Sequence, residues 1–194
     1  MASYGYLQMF IPYDCLYLLC RALRPRIIVE TGVERGSSTF MILECLNRNG
    51  HGILHSLEIE SSVQLGSKRV LLGLAAFDDG VLLDRTGKLR SPINDYWELN
   101  ISDAYTYLKE KSDEWSDKLD IFIHGSAHDY ANPRSELLIA KDFTKKDGII
   151  VVDRPDYNDW KAIDEVLTLN EYERFVMRER SSSSPLKFAV TKKK

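Results

Sequence analysis

Residues 26–39, Arg-Ile-Ile-Val-Glu-Thr-Gly-Val-Glu-Arg-Gly-Ser-Ser-Thr, constrain the fold more than any other stretch. A short β-branched run ends on Glu30, turns through Gly32 and Gly36, and enters a helix at Phe40-Met41-Ile42-Leu43. A parallel strand buried on both faces reads as a continuous apolar run, and Ile27 to Val29 fits that. Glycine serves where the backbone turns tightly or approaches a ligand. A helix beginning there offers unpaired N–H groups and the positive end of its dipole to an anion. Ser37, Ser38 and Thr39 add hydroxyls at the same edge. The stretch therefore reads as the first βα unit of a nucleotide-type site. Two glycines alone are equally compatible with a plain turn. Glu58 favours the site: it ends a second apolar run, Ile53-Leu54-His55-Ser56-Leu57, about 20 residues on, where such units place an acid for ribose hydroxyls.

Strand and helix patterns alternate along the rest of the chain. Residues 11–23 show Leu16, Leu19, Cys20 and Leu23 at helical spacing between Pro12 and Pro25. Further strands are expected at 53–59, 97–101, 119–123 and 149–152, with helices over 61–76, 105–111, 133–142 and 159–169. The apolar face of the 133–142 helix is assigned to Leu137, Leu138 and Phe143. Strands at 174–178 and 186–191 are separated only by Ser181 to Ser184 and Pro185, too little for a parallel crossover, so they pair antiparallel. This is an α/β pattern with a mainly parallel sheet, five parallel units followed by a hairpin. Ligands of such sheets bind beyond the carboxyl ends of the strands. Five loops converge there: 30–38, Glu58, 102–104, 124–130 and Asp153.

A length of 194 residues suits a single domain spanning residues 1–194. Residues 1–25 form an arm and helix; residues 77–96, with Asp78-Asp79-Gly80 and Arg85-Thr86-Gly87-Lys88 as turn signals, form a lid or hairpin insertion. A formal net charge of -3 argues against a nucleic-acid partner. Lys192-Lys193-Lys194 is read as a solvated tail. Cys15, Cys20 and Cys45 have neither zinc-ligand spacing nor an even count and lie in apolar segments. With no signal-peptide pattern and no long apolar run, they point to a cytoplasmic protein without a membrane partner.

In this order and spacing the motifs resemble those of class I S-adenosylmethionine-dependent methyltransferases. The nearest likeness is to small-molecule O-methyltransferases of the catechol and macrocin type (methyltransferase 24-like) and to the cephalosporin-hydroxylase-like branch. Residues 30–38 resemble their Glu-x-Gly-x-x-x-Gly-x-Ser motif, and Leu57-Glu58-Ile59 resembles the segment carrying the ribose-binding acid. Ser102-Asp103-Ala104 resembles the adenine-edge motif. Ile123-His124-Gly125 followed by His128-Asp129-Tyr130 resembles an Ile-Asp-Gly…His-x-Tyr stretch. The likeness runs from Arg26 onward, leaving out the N-terminal arm and residues 77–96.

The resemblance implies a Rossmann-like doubly wound sheet of seven strands in the order 3-2-1-4-5-7-6, with the hairpin at its end. It implies S-adenosylmethionine as cofactor. Gly32, Val33 and Gly36 would approach it, and Glu30 would order the loop or meet the methionine amino group. Ser38 would bind the methionine carboxylate. Glu58, beside Ile59, would take the ribose hydroxyls, while Asp103 and Ala104 would meet adenine with His124 nearby. For Asp103 a helix N-cap is a rival role.

The activity implied is methyl transfer to a small-molecule acceptor through an oxygen nucleophile. Two alternatives stay open: a non-catalytic domain that binds S-adenosylmethionine, and a nicotinamide-dependent oxidoreductase. The oligomeric state is likewise open, a homodimer included. Catechol-type enzymes hold magnesium with an Asp after the fourth strand and an acidic pair after the fifth. Here those positions are His124 and Asp153-Arg154, a set ill-suited to magnesium, so no metal is expected. Zinc with His124, His128 and Asp153 is the alternative. Without a metal, His128 and His124 are the candidate bases, with Asp153 beside them.

Overall fold

The computed structural model describes residues 14–33, 36–59, 93–178 and 187–194. Its elements, in chain order, are α1 (Asp14–Leu23), β1 (Ile27–Thr31), α2 (Ser37–Asn49) and β2 (Ile53–Glu58). A 3-10 turn (Ile93–Tyr96) leads into β3 (Trp97–Ile101), α3 (Ala104–Glu110) and α4 (Ser112–Trp115). Then follow β4 (Leu119–His124), α5 (Ala131–Phe143), β5 (Thr144–Asp153), α6 (Tyr157–Val166), β6 (Tyr172–Arg178) and β7 (Lys187–Lys193). The arm before Asp14, the helix expected over 61–76, and the insertion up to residue 92 lie outside the described residues.

One seven-stranded sheet carries these elements in the order β3-β2-β1-β4-β5-β7-β6. Pairing is parallel from β3 through β5 and antiparallel at β5–β7 and β7–β6. Side chains alternate across a strand, and here both faces are apolar. Ile28, Ile121, Ile123, Ile149 and Val151 face a cluster with Leu16 and Cys20 of α1 and Ile42, Leu43 and Leu46 of α2. Val29, Phe122, Ile150 and Val152 face the opposite cluster, with Leu108, Trp115, Leu137, Phe143 and Ile163. Helices thus cover both faces, which is why the inner strands read as unbroken apolar runs.

Three expectations need correction. The terminal lysines are no solvated tail: Lys192 and Lys193 pair with Glu173 and Tyr172 in the β6–β7 ladder. Lys193 Nζ also donates to the Thr144 carbonyl at 2.6 Å and the Lys141 carbonyl at 3.1 Å. The buried stripe of α5 is Pro133, Glu136, Leu137, Ala140 and Phe143, while Leu138 is 41% exposed. The fifth strand starts earlier than expected, with a register shift opposite Leu119 to Ile121 that absorbs Lys145 to Gly148.

Candidate active site

The β1–α2 turn is held by contacts that only small residues permit. Gly32 has φ 79°, and a Cβ built on it would lie 2.5 Å from the Gly125 carbonyl oxygen. In turn the Gly125 N–H donates to the Thr31 carbonyl at 2.9 Å, locking the loop after β4 onto the loop after β1. The steric demand at Gly32 thus comes from protein backbone. Gly36 sits at φ 73°, ψ 15° as the N-cap of α2, with no side-chain hydrogen bond to the cap. The N-cap itself therefore supplies no acceptor for the first N–H groups of α2.

Glu30 is buried at the end of β1 and accepts hydroxyls from Ser38, Thr39 (2.6 Å) and Ser56 (3.0 Å). Burial pushes its carboxyl up to about 7, against the pull of those three hydroxyls. These contacts tie the start of α2 and β2 to the end of β1, and Ser38 directs its hydroxyl to Glu30. Glu58 bridges the same loop to β2. Its Oε2 accepts the Val33 N–H at 2.9 Å, and its Oε1 accepts the Ile59 N–H at 2.9 Å. The Gly32 N–H reaches the Leu57 carbonyl at 2.9 Å alongside. One strand further out, Asp103 caps α3, its Oδ1 accepting the Thr106 N–H at 2.9 Å, and Ala104 opens that helix.

A second group of polar side chains gathers at the ends of β4 and β5. His124 is fully buried, and its Nδ1 lies 2.7 Å from Glu136 Oε2. Glu136 also accepts hydroxyls from Thr31 at 2.5 Å and Ser126 at 2.9 Å. On the other side, His124 Nε2 faces Asp159 Oδ1 at 3.6 Å, an ionic contact too long to be a hydrogen bond. His128, with a side chain 29% exposed, places Nδ1 at 2.8 Å from Asp159 Oδ2. Burial pulls the His124 imidazole down, but the Asp159 and Glu136 carboxylates overcome it and raise it to about 9. Asp159 is held below the usual carboxylate range: the His124 imidazole across the 3.6 Å contact, the Asp156 N–H and His128 outweigh its burial.

Asp159 owes its position to a capping box. Asp156 Oδ1 accepts the Asp159 N–H at 3.1 Å, and Asp159 Oδ2 accepts the Asp156 N–H at 2.8 Å. Asp153, at the end of β5, lies 3.4 Å from the Arg154 guanidinium. The zinc alternative weighed from sequence paired the histidines with Asp153. Among the described residues it is Asp159 that joins His124 and His128, with donor atoms all within 4.8 Å.

Sequence reasoning missed Asp159 and Glu136. The Asp156-x-x-Asp159 spacing before an apolar run is a capping signal. Glu136 falls in the 133-136-137-140 stripe, and an acid there points to a buried polar partner. Both signals were present in the sequence.

An open parallel sheet closed by an antiparallel hairpin, with an acid-tipped second strand beside a glycine turn, defines a class of protein. The chain matches the methyltransferase-domain family over residues 29–154 and belongs to it. A search of curated proteins returned no match. Among solved structures, the O-methyltransferase TomG from Streptomyces achromogenes, in complex with SAM, superposes at TM-score 0.66 with 15% identity. That match covers 93% of this chain and 78% of TomG. An O-methyltransferase from Bacillus cereus in complex with SAH gives TM-score 0.66 at 16% identity, covering 93% and 80%. Spermidine synthase from Thermotoga maritima gives 0.63 at 14%, covering 95% and 59%. These likenesses show a shared fold.

Proposed function

We propose that this methyltransferase-family chain transfers a methyl group from S-adenosylmethionine to the oxygen of a small-molecule acceptor. The observation that carries the reading is the Glu58 carboxylate, pinned at the rim by Val33 N–H beside the uncapped start of α2. The Val33 and Ile59 N–H groups fix the Glu58 carboxylate at the tip of β2, where units of this kind place an acid for ribose hydroxyls. The N-terminus of α2, which its glycine cap leaves without a side-chain acceptor, suits the methionine carboxylate. Asp103 and Ala104, one strand further out, are the residues assigned to the adenine edge, with the Asp103 carboxylate also serving as a helix cap. S-adenosylmethionine supplies a methyl carbon that is electrophilic without further activation. What remains for the chain is to align the acceptor and deal with its proton.

The groups suited to that second task are His124, His128, Asp159 and Asp153. His128 is the partly exposed member of the histidine pair, the one an acceptor can reach. The test is formation of S-adenosylhomocysteine and a product heavier by one methyl group across a panel of phenols, catechols and sugar hydroxyls. The reading expects one acceptor class to turn over and His128→Gln to lose most of that rate. Turnover unchanged in His128→Gln would remove this cluster from the reaction.

A further inference from the structure

We propose that His124, His128 and Asp159 form a binding site for a divalent transition-metal ion of the zinc class. The donor atoms of the three lie within 4.8 Å of one another, on β4, the loop that follows it and α6. Two of those residues present buried polar atoms, His124 Nε2 and Asp159 Oδ1, that have no hydrogen-bond partner among the described residues. These two atoms face each other at 3.6 Å. Ligand atoms bonded to one tetrahedral zinc at about 2.0–2.1 Å stand about 3.3–3.4 Å apart. The separation is therefore too long for a hydrogen bond and close to what a shared ion sets. A buried polar atom without a partner is costly, and one cation would satisfy both.

The surroundings match the way metal ligands are usually supported. His124 carries Glu136 on its other ring nitrogen at 2.7 Å, an arrangement that places a proton on Nδ1 and aims the Nε2 lone pair at the ion. Glu136 is itself fixed by the hydroxyls of Thr31 and Ser126. Asp159 is fixed by the Asp156 N–H at 2.8 Å. Asn132 Nδ2 donates to Ser126 Oγ at 2.8 Å, completing a second layer behind the histidine. Two imidazoles and one carboxylate suit zinc, iron(II) or cobalt(II), whereas magnesium wants more oxygen ligands. Three protein ligands leave coordination positions for a group from outside the chain. The 29% exposure of His128 gives the way in. What an ion there adds is Lewis acidity toward a hydroxyl group brought to the open position.

The proposal stands on donor geometry and needs no turnover, so its test is independent of the methyl-transfer reading. The full-length chain, stripped with EDTA and exchanged into metal-free buffer, is titrated with zinc against a chromophoric chelator. Cobalt(II) and magnesium are titrated in parallel. The expected result is one equivalent of zinc bound at submicromolar affinity, a visible cobalt(II) band of low-symmetry coordination, and no magnesium competition at equal concentration. Glu136→Gln should weaken zinc by about 10–100-fold, as loss of an outer partner does, and His128→Gln and Asp159→Asn by more than that. His128→Gln alters a partly exposed side chain, so it serves if Asp159→Asn fails to fold. Circular dichroism checks each variant. Zinc affinity unchanged in His128→Gln, or no binding below about 10 μM in the parent, overturns the site and leaves an imidazolium between two carboxylates.

Discussion

Gly32 and Gly125 meet backbone to backbone: a Cβ on Gly32 would stand 2.5 Å from the Gly125 carbonyl oxygen and 2.8 Å from Ser126 Cα. That contact joins the loop after β1, where the proposed cofactor edge begins, to the loop after β4, which carries His128. The two halves of the rim are thus one rigid unit at the glycine.

Gly32→Ala should therefore destabilise the fold by about 1–3 kcal/mol, because neither backbone segment can yield cheaply and φ 79° also disfavours a side chain. Urea unfolding monitored by circular dichroism measures it. A midpoint equal to that of the parent would mean that the two loops separate freely.

Gly36 separates turn geometry from closeness to a ligand. At φ 73° asparagine is tolerated far better than a β-branched residue. Gly36→Asn should fold with near-parental stability yet bind S-adenosylmethionine more weakly, while Gly36→Val should lose about 1–3 kcal/mol of stability as well. Calorimetric binding to the two variants, beside their thermal midpoints, gives the answer. Normal binding by Gly36→Asn would make this glycine a turn residue and nothing more.

Glu30 sets a pH dependence with a definite sign. Burial holds its carboxyl at about 7 in the folded chain, against an ordinary value of 4.5. Below about 4.5 both states hold the proton, and the group is neutral to stability. Between about 4.5 and 7 the unfolded chain releases it first, so stability falls by about 3 kcal/mol across that window and is flat above it. Glu30→Gln removes this loss. The variant's stability relative to the parent should rise through the same window, as paired urea titrations at pH 4.5, 6 and 7.5 would record. Parallel curves for the two proteins would contradict the burial argument.

The sheet was readable because its strands are buried on both faces: Ile27 to Val29, Ile121 to Ile123 and Ile149 to Val152 are apolar runs between turn residues. The final hairpin followed from a linker too short for a crossover. Harder to read were positions where a side chain's partner lies far along the chain. Nothing near Asp159 in sequence announces His128, 31 residues earlier. Nothing near Glu136 announces Thr31, 105 residues away. Lys192 and Lys193 misled for a related reason, since a run of three charges at a chain end ordinarily stays in water. Here the end of α5 and the start of β5 supply carbonyl acceptors for Lys193, and ladder pairing takes both residues.

The central claim is that the glycine loop and the acid of β2 hold S-adenosylmethionine. Isothermal titration of the full-length parent and Glu58→Ala with S-adenosylmethionine and S-adenosylhomocysteine tests it most directly. A carboxylate accepting two ribose hydroxyls makes charge-assisted bonds of about 1.5–3 kcal/mol each. The account predicts one equivalent bound by the parent and affinity at least about tenfold weaker in a folded Glu58→Ala. Equal affinity in the two proteins, or no binding by the parent while a nicotinamide dinucleotide binds, would contradict it.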